Sequence, residues 1–579
     1  MKFSIKNLFY FLIVILIFIL QNVNKCHGQP IVTIGNNTRI EGIFMITRKN
    51  RNISGFIGIK YAEPPIGKLR FSNPVLKELP EKYLLANNEG SVCTQMTRYG
   101  EKKVIGNEDC LFLNIYTPRK SFSGNKSKLL PVMVLIHGSA FLIGSSSVEN
   151  LGPNYLLDKN IVYVSMNYRL DIFGFLSTGD NVALGNFGIK DQLVALQWIQ
   201  KYIRHFGGDP NQVTLTGYST GADSVNHHIF SNLTEGYFHR YIMQSGCPFS
   251  MRSYRSGKKS AEIAKSVAEY FNCSNEDSQL IVNCLRDIDY KKLINNSFIF
   301  PRIGNILHST WLPTIEPNVT GAYIIENPFY IMKEKKFKNL SGISGIVTDE
   351  GLTWIAPLYV NEKFYNEIIE NFDDFLIDIF NYFELTKNVS AIVSEVKRFY
   401  FKNEISNEKN LILKQLSDFL GDLFKNYPII FSSAFYAKNT KSPLYFYWFN
   451  YRGLISMTNK VTRNNWNLGI AHTDELIYLY PQKSIVSVAN DREILKNDSI
   501  ITDLMVDLWT SFTINGVPTS EKLCEGENSW KPHQHNMNIL KIGNYSNTET
   551  KMINSVFKER MEFWERIQHL LIHNFLPDI

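Results

Sequence analysis

A serine between two glycines is the first candidate for chemistry in this chain. The segment Gly217-Tyr218-Ser219-Thr220-Gly221 has the Gly-x-Ser-x-Gly pattern, between an apolar run typical of a strand and a stretch typical of a helix. In such a strand-to-helix turn the serine hydroxyl stands exposed above a sheet, where it can attack a carbonyl carbon. The pattern also fits a glycine-rich turn with an incidental serine, so Ser219 needs partners before a nucleophile is indicated.

Two later residues could supply these partners. A serine hydroxyl is a poor nucleophile at neutral pH unless a base accepts its proton and an acid orients that base. With this type of turn, the expected chain order is serine, then aspartate or glutamate, then histidine. Glu350 lies just past a predicted strand, and His472 lies in the segment Gly469-Ile-Ala-His472-Thr-Asp-Glu475. Either residue alone is more often an ordinary loop or surface side chain, but the order of the three predicts a triad of Ser219, Glu350 and His472.

Acyl transfer also needs hydrogen-bond donors for the negative charge that develops on the carbonyl oxygen. The segment His137-Gly138-Ser139-Ala140-Phe141 follows a predicted strand, where a second loop is expected to contribute such donors. The backbone N–H groups of Ser139, Ala140 and Thr220 are therefore the predicted oxyanion hole. The alternative is a tight turn without a catalytic role.

The elements that must position these residues are short apolar runs alternating with amphipathic stretches. The strand candidates are Leu129–Ile136, Ile161–Met166, Val213–Thr216, Ile242–Met243, Ile343–Val347 and Leu444–Phe449. Asp191–Phe206 carries apolar residues at helical spacing and ends before a Gly-Gly-Asp-Pro stop, and Met561–His573 is typical of a closing amphipathic helix. This alternation predicts an α/β fold with a large, mostly parallel central sheet flanked by helices.

Composition and charge narrow the class of protein. The chain has 579 residues, of which 44% are hydrophobic and 13% aromatic, which is ample for a packed core. Length alone favours several domains, but motifs that must meet in space run from about residue 56 to about residue 475, so one domain over 29–579 is predicted. The net charge of +7 is spread along the chain without a long basic run, so no nucleic-acid partner is expected.

The first 28 residues predict a signal peptide. Lys2 and Lys6 precede the unbroken apolar run Leu8–Leu20, and small residues at Cys26 and Gly28 suit cleavage after residue 28. An uncleaved anchor is the alternative, but the run is shorter than the roughly 20 residues needed to span a bilayer. No later apolar run is long enough to span, so we expect a secreted protein, or one in the lumen of the endomembrane system, without a transmembrane segment after cleavage.

Acceptor sites for N-glycosylation and the cysteines agree with export. The Asn-x-Ser/Thr sites are Asn36, Asn52, Asn125, Asn232, Asn272, Asn295, Asn318, Asn339, Asn388, Asn497 and Asn544. Cys93 and Cys110 could close one short loop, and Cys273 and Cys284 another, as suits an oxidising compartment. For Cys247 and Cys524 two alternatives stay open, a bond between them or a free thiol.

Longer motifs, taken together with the triad segments, resemble one family. They are Gly58–Phe71, Glu108–Pro118, Asn167–Phe175, Gly185-Asn186 through Asp191-Gln192, Phe206–Pro210 and Gln244-Ser245-Gly246. The chain resembles the type-B carboxylesterases, the group that includes the cholinesterases and the non-enzymatic neuroligins, from about Phe56 to the C-terminal helix. The resemblance implies the α/β-hydrolase fold, the triad of Ser219, Glu350 and His472, and a small-molecule ester substrate with no metal or organic cofactor. It further implies disulfide bonds Cys93–Cys110 and Cys273–Cys284, and roles for Ser245 and Glu475 behind the histidine.

Three residues depart from the pattern of this family. Tyr218 stands where Glu is usual, Thr220 where Ala is usual, and Ser139 where Gly is usual. A Cβ at residue 139 could crowd the substrate oxygen or shift the loop, because glycine permits backbone conformations that other residues resist. Loss of one oxyanion donor costs a rate factor of about a hundred to a thousand. The loop between Cys93 and Cys110 contains no Trp, which removes the aromatic choline site of cholinesterases, so acetylcholine hydrolysis is not expected.

Two functions therefore stay open at the level of the sequence. The first is a secreted serine hydrolase that cleaves carboxylic esters through an acyl-enzyme intermediate. The second is a catalytically weak or inactive relative that serves as a binding, adhesion or storage protein, and the three departures motivate it. The retention of all three triad residues favours the esterase, and a neuroligin-like role would need a membrane span.

Overall fold

The computed structural model describes most of the chain after the predicted signal peptide. It describes residues 28–571 except 36–37, 81, 98–100, 123–127, 251–252, 297–301, 304–306, 309, 384, 483–491, 524–528, 535–536 and 546. The signal-peptide prediction therefore falls outside the described residues, apart from Gly28. In the described part of the chain, no helix is long and apolar enough to cross a membrane.

The strands of the described residues, labelled in chain order, form one large sheet and three small ones. They are β1 (Ile31–Ile34), β2 (Thr38–Glu41), β3 (Ile43–Ile46), β4 (Asn52–Lys60), β5 (Tyr83–Leu85), β6 (Gln95–Met96), β7 (Val104–Ile105), β8 (Phe112–Thr117), β9 (Leu130–Ile136), β10 (Val162–Met166), β11 (Gly208–Tyr218), β12 (Arg240–Gln244), β13 (Arg302–Ile303), β14 (Leu307–His308), β15 (Ser341–Val347), β16 (Leu444–Tyr451), β17 (Ile539–Tyr545) and β18 (Lys551–Ile553). The large sheet has 11 strands in the order β18-β17-β16-β15-β12-β11-β9-β10-β8-β4-β3.

Parallel pairing dominates the middle of the large sheet. The strands from β17 through β10 in this order pair in parallel, whereas β18 at one edge and β8, β4 and β3 at the other pair antiparallel. Along β9, Val132 and Val134 face one apolar cluster and Met133 and Leu135 face a second, so both faces of the sheet are covered. A strand buried on both faces needs apolar residues at nearly every position, which explains the continuous run Leu-Pro-Val-Met-Val-Leu-Ile of β9.

Helices connect these strands and cover the sheet. The α-helices are Val148–Leu151, Asp171–Phe175, Phe187–Tyr202, Thr220–Phe230, Gly257–Tyr270, Ser278–Asp287, Tyr290–Asn296, Pro328–Lys333, Leu352–Val360, Glu362–Glu370, Phe372–Tyr382, Val389–Phe401, Lys409–Gly421, Tyr427–Asn439, Met457–Thr462, Arg492–Asn515 and Lys558–Ile567. Short 3-10 helices occupy Gly67–Leu69, Leu156–Asp158, Ile203–Phe206, Asn232–Thr234, Asp474–Tyr478 and Gln568–Leu570, and Asp422–Asn426 forms a π-helical turn. The predicted α/β fold with a mostly parallel sheet flanked by helices is confirmed.

Two predicted helices differ from the structure at their ends. The helix expected over Asp191–Phe206 begins at Phe187 and ends at Tyr202, and Ile203–Phe206 continues it as a 3-10 helix. Its first turn, residues 187–190, is buried at every position, so no amphipathic spacing marked it in the sequence. The closing helix expected over 561–573 begins at Lys558 and ends at Ile567, and residues 572–573 lie outside the described residues.

Two disulfide bonds join Cys93 to Cys110 and Cys273 to Cys284, as the resemblance implied. Cys247 is a free thiol in the described part of the chain, and burial raises its pKa to about 12. Cys524 lies outside the described residues, so both alternatives for these two cysteines, a bond between them or a free thiol, stay open.

A buried ion pair fastens the first turn of the helix Phe187–Tyr202 to a later loop. Lys190 lies 2.5 Å from a carboxylate oxygen of Glu316, and both side chains are almost fully buried. The second oxygen of Glu316 accepts hydrogen bonds from the Asn186 side chain and from the backbone N–H groups of Tyr323 and Ile324. Burial lowers the pKa of Lys190, while the charge of Glu316 opposes that shift.

Glu316→Gln is expected to lower the free energy of unfolding by about 3 kcal/mol, because it leaves the Lys190 ammonium buried without its counter-charge. Urea unfolding of the disulfide-bonded protein would measure the loss. The matched control is Glu101→Gln, which removes an exposed ion pair with Lys103 and should cost less than about 0.5 kcal/mol. Equal effects of the two variants would contradict a stabilising role for the buried pair.

Candidate active site

Ser219 lies in a sharp turn at the carboxyl end of β11, directly before the helix Thr220–Phe230. Its backbone has φ 53° and ψ −127°, a conformation that L-residues rarely adopt, and its N–H donates to the carbonyl of Gln244 on the neighbouring β12 at 2.8 Å. A Cβ at Gly217 would lie 2.3 Å from the carbonyl oxygen of Gly221, and a Cβ at Gly221 would lie 2.2 Å from that of Ile136. Gly217 is therefore required by the close approach of strand and helix within this turn, and Gly221 by the close approach of that helix to β9.

The three predicted triad residues come together in one hydrogen-bonded chain. His472 Nε2 lies 2.8 Å from Ser219 Oγ, and His472 Nδ1 lies 2.5 Å from Glu350 Oε2. Ser219 lies directly beyond the carboxyl end of β11, and Glu350 lies close to the carboxyl end of β15. Because both strands belong to the parallel part of the sheet, their carboxyl ends lie at the same edge. The arrangement can transfer a proton from the serine hydroxyl to the imidazole while the carboxylate stabilises the imidazolium.

Glu350 is fully buried and extensively hydrogen-bonded. Its Oε1 accepts hydrogen bonds from the Ser245 hydroxyl at 2.7 Å and from the Val347 N–H at 3.0 Å, while Oε2 faces His472. Burial raises the pKa of this carboxyl, but the charge of His472 and the three hydrogen bonds outweigh burial and leave the pKa below its ordinary value. Glu350 is therefore ionised at neutral pH, as an acid that orients an imidazole must be.

Glu475 lies behind the triad as a second buried carboxyl group. Gln244 Nε2 and the Tyr447 hydroxyl donate to its Oε1 at 3.4 and 3.3 Å, and within the described residues its Oε2 has no hydrogen-bond partner. Burial, together with the nearby charge of Glu350, raises the pKa of Glu475 to about 8. Glu475 is thus largely protonated at neutral pH, so Glu350 and Glu475 together carry one negative charge and not two.

Two further carboxylates, which the sequence analysis did not single out, shape the loop that carries His472. Asp349 Oδ2 accepts the Ile470 N–H at 2.9 Å, and the Asp349 N–H donates to the Ile470 carbonyl at 2.9 Å. Asp474 accepts the N–H groups of Ala471 and Met457 at 2.8 and 2.7 Å. Both lie next to motif residues in the sequence, but only their contacts separate them from ordinary loop carboxylates.

The segment predicted to supply oxyanion donors is an irregular loop with a left-handed backbone. Ser139, Ala140 and Phe141 have φ values of 87°, 60° and 62°, a region that favours glycine. A Cβ at Gly138 would lie 2.3 Å from the carbonyl oxygen of Tyr218, so this loop directly adjoins the nucleophile turn. Among the hydrogen bonds of the described residues, none uses the N–H of Ser139, Ala140 or Thr220 as donor.

Tyr218 and Thr220, two of the residues that depart from the family pattern, flank Ser219 in the sequence. Tyr218 is half-buried against the second apolar cluster and raises the pKa of Tyr163, Tyr168 and Tyr480, for each of which burial is the larger cause. Thr220 is buried at the start of its helix, and its hydroxyl has no hydrogen-bond partner within the described residues.

Clusters of metal-binding side chains are not found in the described part of the chain, where no group of three or more His, Cys, Asp or Glu could hold an ion. A sheet of this order with a nucleophile turn after β11 defines the α/β-hydrolase class.

Comparison with known proteins identifies the family. The model of the carboxylesterase family matches residues 28–564. The chain is 32% identical to a protein named carboxylic ester hydrolase of Bombus ignitus, over 91% of this chain and 92% of that protein. It is also 32% identical to the juvenile hormone esterase of Tribolium castaneum, over 92% of each chain. The crystal structure of juvenile hormone esterase from Manduca sexta, with OTFP covalently attached, superposes with a TM-score of 0.80 at 24% identity, covering 93% of this chain and 100% of that one.

The chain therefore belongs to the carboxylesterase family, and its enzyme class is that of the carboxylic ester hydrolases. The resemblance stated from the sequence motifs is confirmed.

The raised pKa of Glu475 predicts a pH-dependent stability. The folded protein binds the proton of the Glu475 carboxyl more tightly than the unfolded chain does. Stability is therefore lost as the pH rises from 4.5, the ordinary pKa of a glutamate, to about 8, the pKa of Glu475 in the folded protein. Glu475→Gln cannot lose a proton, so its free energy of unfolding should improve relative to wild type by at least about 2 kcal/mol between pH 5 and pH 8.

Urea unfolding at both pH values measures this change, and Glu276→Gln, at an exposed position, serves as the control for removing one carboxylate. A difference between Glu475→Gln and wild type that stays constant from pH 5 to pH 8 would show that Glu475 is ionised throughout.

Proposed function

We propose that this protein is an exported serine esterase that hydrolyses small-molecule carboxylic esters through an acyl-enzyme intermediate. Ser219 Oγ attacks the ester carbonyl while His472 Nε2 accepts its proton, and His472 then donates that proton to the departing alcohol. Water, activated by His472, attacks the acyl-enzyme and releases the acid. Glu350 orients His472 and stabilises its charged form, Ser245 positions Glu350 through its hydroxyl, and Glu475 lies behind this pair.

One observation carries the proposal: the continuous chain from Ser219 Oγ through His472 to a buried, hydrogen-bonded Glu350. The distances of 2.8 and 2.5 Å lie within the reach that nucleophile, base and orienting acid require. The cost of burying the Glu350 carboxylate is offset only because His472, Ser245 and the Val347 N–H all contact it. Such a group is expected where chemistry needs a fixed charge.

The oxyanion hole is assigned to the N–H groups of Ser139, Ala140 and Thr220. Thr220 opens the helix Thr220–Phe230, where the first N–H groups have no acceptor within the helix and the dipole favours negative charge. The left-handed backbone of Ser139 and Ala140, in contact with the nucleophile turn through Gly138, supports donors that are already aimed before substrate arrives.

Export is proposed from the N-terminal signal pattern and from the two disulfide bonds, which persist in oxidising compartments. The predicted glycosylation sites agree with it where they are described. Exposed sites are Asn52, Asn232, Asn272, Asn295, Asn318, Asn339 and Asn388, half-buried sites are Asn497 and Asn544, and Asn36 and Asn125 lie outside the described residues. Glycans at these positions would extend into solvent without displacing the core.

Hydrolysis of p-nitrophenyl esters of increasing acyl length tests the proposal. Juvenile hormone, which appears in the name of one relative, serves as a further substrate. Wild type is expected to turn over. Ser219→Ala should lose at least about 10⁴-fold in kcat because the nucleophile is absent, and Glu350→Gln about 10⁴-fold because the amide favours the wrong imidazole tautomer.

The matched control is Ser266→Ala, which removes an exposed hydroxyl on the helix Gly257–Tyr270 and should leave kcat unchanged. If folded wild type and Ser219→Ala are equally inert on every ester, the esterase proposal fails. The other function that the sequence left open, a binding, adhesion or storage protein, would then be favoured.

A further inference from the structure

The oxyanion loop, defined as residues 137–144, keeps a backbone that its own residues disfavour. Three successive non-glycine residues, Ser139, Ala140 and Phe141, lie at positive φ, and each such residue costs free energy that the surroundings must offset. Gly144 ends the loop at φ 124°, and a Cβ there would lie 2.4 Å from His137 Nδ1. Such a loop holds its shape only if other parts of the chain fix it.

Gln95 contacts the end of this loop through both atoms of its side-chain amide. Its Oε1 accepts the N–H of Gly144 at 2.8 Å, and its Nε2 donates to the carbonyl of the same residue at 2.9 Å. The amide thus pairs with both polar backbone groups of Gly144 as a neighbouring strand would. Nε2 also donates to the Cys93 carbonyl at 2.8 Å, so the three bonds together fix which end of the amide is nitrogen.

The position of Gln95 is itself firmly set. It is buried, it pairs with Ile105 in the short β6–β7 hairpin, and it lies two residues from the disulfide bond between Cys93 and Cys110. The disulfide therefore closes a small loop whose inward-facing amide reaches the oxyanion loop. At the other end of that loop, the Tyr168 hydroxyl donates to the His137 carbonyl at 2.7 Å and the two rings stack at 4.4 Å.

We propose that Gln95 is a positioning residue that holds the donors of the oxyanion hole in place by clamping Gly144, with the Cys93–Cys110 disulfide as its anchor. The inference rests on the proposed esterase function of the same site. Gln95 does not touch the reacting atoms; it acts through the backbone of residues 139–144. Its loss lets the left-handed segment relax, which moves the Ser139 and Ala140 N–H groups away from the oxyanion while leaving the triad intact.

Gln95→Met tests this role, because methionine keeps the length of the side chain but neither donates to nor accepts from Gly144 at hydrogen-bond strength. We expect kcat/KM for p-nitrophenyl acetate to fall about 10- to 100-fold, as misplacement of donors by about 1 Å implies. The pH at which kcat/KM is half-maximal should not move, because Ser219, His472 and Glu350 keep their contacts.

The Ki of a trifluoromethyl ketone inhibitor distinguishes a positioning role of Gln95 from a merely structural one. Addition of Ser219 Oγ to its carbonyl carbon moves the C=O electron pair onto oxygen and the serine proton onto His472, which creates an oxyanion in the hole. The Ki of this ketone for Gln95→Met should rise, relative to wild type, by a factor similar to the loss in kcat/KM. The Ki of an ether analogue of the substrate, which has no carbonyl, should change less than about twofold, since it gains nothing from the hole.

Gln200→Met is the matched control. Gln200 Nε2 also bridges two backbone carbonyls, those of Pro210 and Tyr237, at 2.9 and 3.0 Å, but on the helix Phe187–Tyr202 and outside the oxyanion loop. We expect both Gln200→Met and Gln95→Met to lower the thermal midpoint, but Gln200→Met should leave kcat/KM and both Ki values unchanged. Gln95→Glu adds a conservative variant: the protonated carboxyl both donates and accepts, so its kcat/KM relative to wild type should rise as the pH falls from 8 to 5.5.

The outcomes separate this inference from the function on which it rests. An inert wild type overturns both the esterase proposal and the clamp. An active wild type with Gln95→Met unchanged in kcat/KM and in ketone Ki overturns the clamp alone. Equal weakening of the ketone and the ether analogue also overturns it, because that result describes a collapsed pocket and not a displaced oxyanion hole.

Discussion

The backbone turn at Ser219 is the constraint on which the rest of the site depends. A residue at φ 53° and ψ −127° cannot hold this conformation alone, and the turn exists because β11 is pinned between two parallel neighbours and the helix Thr220–Phe230 lies close behind it. Gly217 and Gly221 permit that approach, and the bond from the Ser219 N–H to Gln244 closes it. The hydroxyl is thus presented at the one sheet edge where the other strands also end.

Electrostatics around the triad depend on which of two buried carboxyls carries charge. Glu350 has three hydrogen-bond donors and stays ionised, whereas Glu475 has two long hydrogen bonds and a bare oxygen, and its pKa rises to about 8. The difference arises from partners and not from burial, because both side chains are fully buried. A single charge beside His472 stabilises the imidazolium without the mutual repulsion of two carboxylates in a low-dielectric interior.

The oxyanion loop, residues 137–144, is fixed in a different way from the turn at Ser219. The donors proposed at Ser139 and Ala140 belong to a loop whose backbone is locally unfavourable, so the shape of this loop must be imposed by contacts from elsewhere, such as Gln95 on Gly144 and Tyr168 on His137. The nucleophile turn is fixed by the sheet, whereas the oxyanion loop is fixed by side chains at its two ends and by the hydrogen bond from the Asp171 N–H to the Phe141 carbonyl. Two of the three departures from the family pattern, Ser139 and Thr220, lie at the proposed donors.

The sequence by itself determined the order of the main elements and the α/β class, and it predicted the three residues that the fold brings into one hydrogen-bonded chain. These follow from local features: apolar runs that suit strands buried on both faces, glycines that only a tight turn requires, and a fixed chain order of nucleophile, acid and base. It placed the helix Phe187–Tyr202 four residues late, because a turn buried on every side has no amphipathic period. Sequence pattern could not distinguish Asp349, Asp474 or Gln95 from ordinary loop residues.

Only the tertiary structure decided the contacts and the charge states. Ser219 meets His472 across 253 residues of sequence, and His472 meets Glu350 across 122. Whether a carboxyl at such a point is ionised depends on burial and on donors from other strands, which no local pattern encodes. The raised pKa of Glu475 and the two hydrogen bonds between Gln95 and Gly144 are of this kind, because they are properties of packed surroundings and not of a residue type.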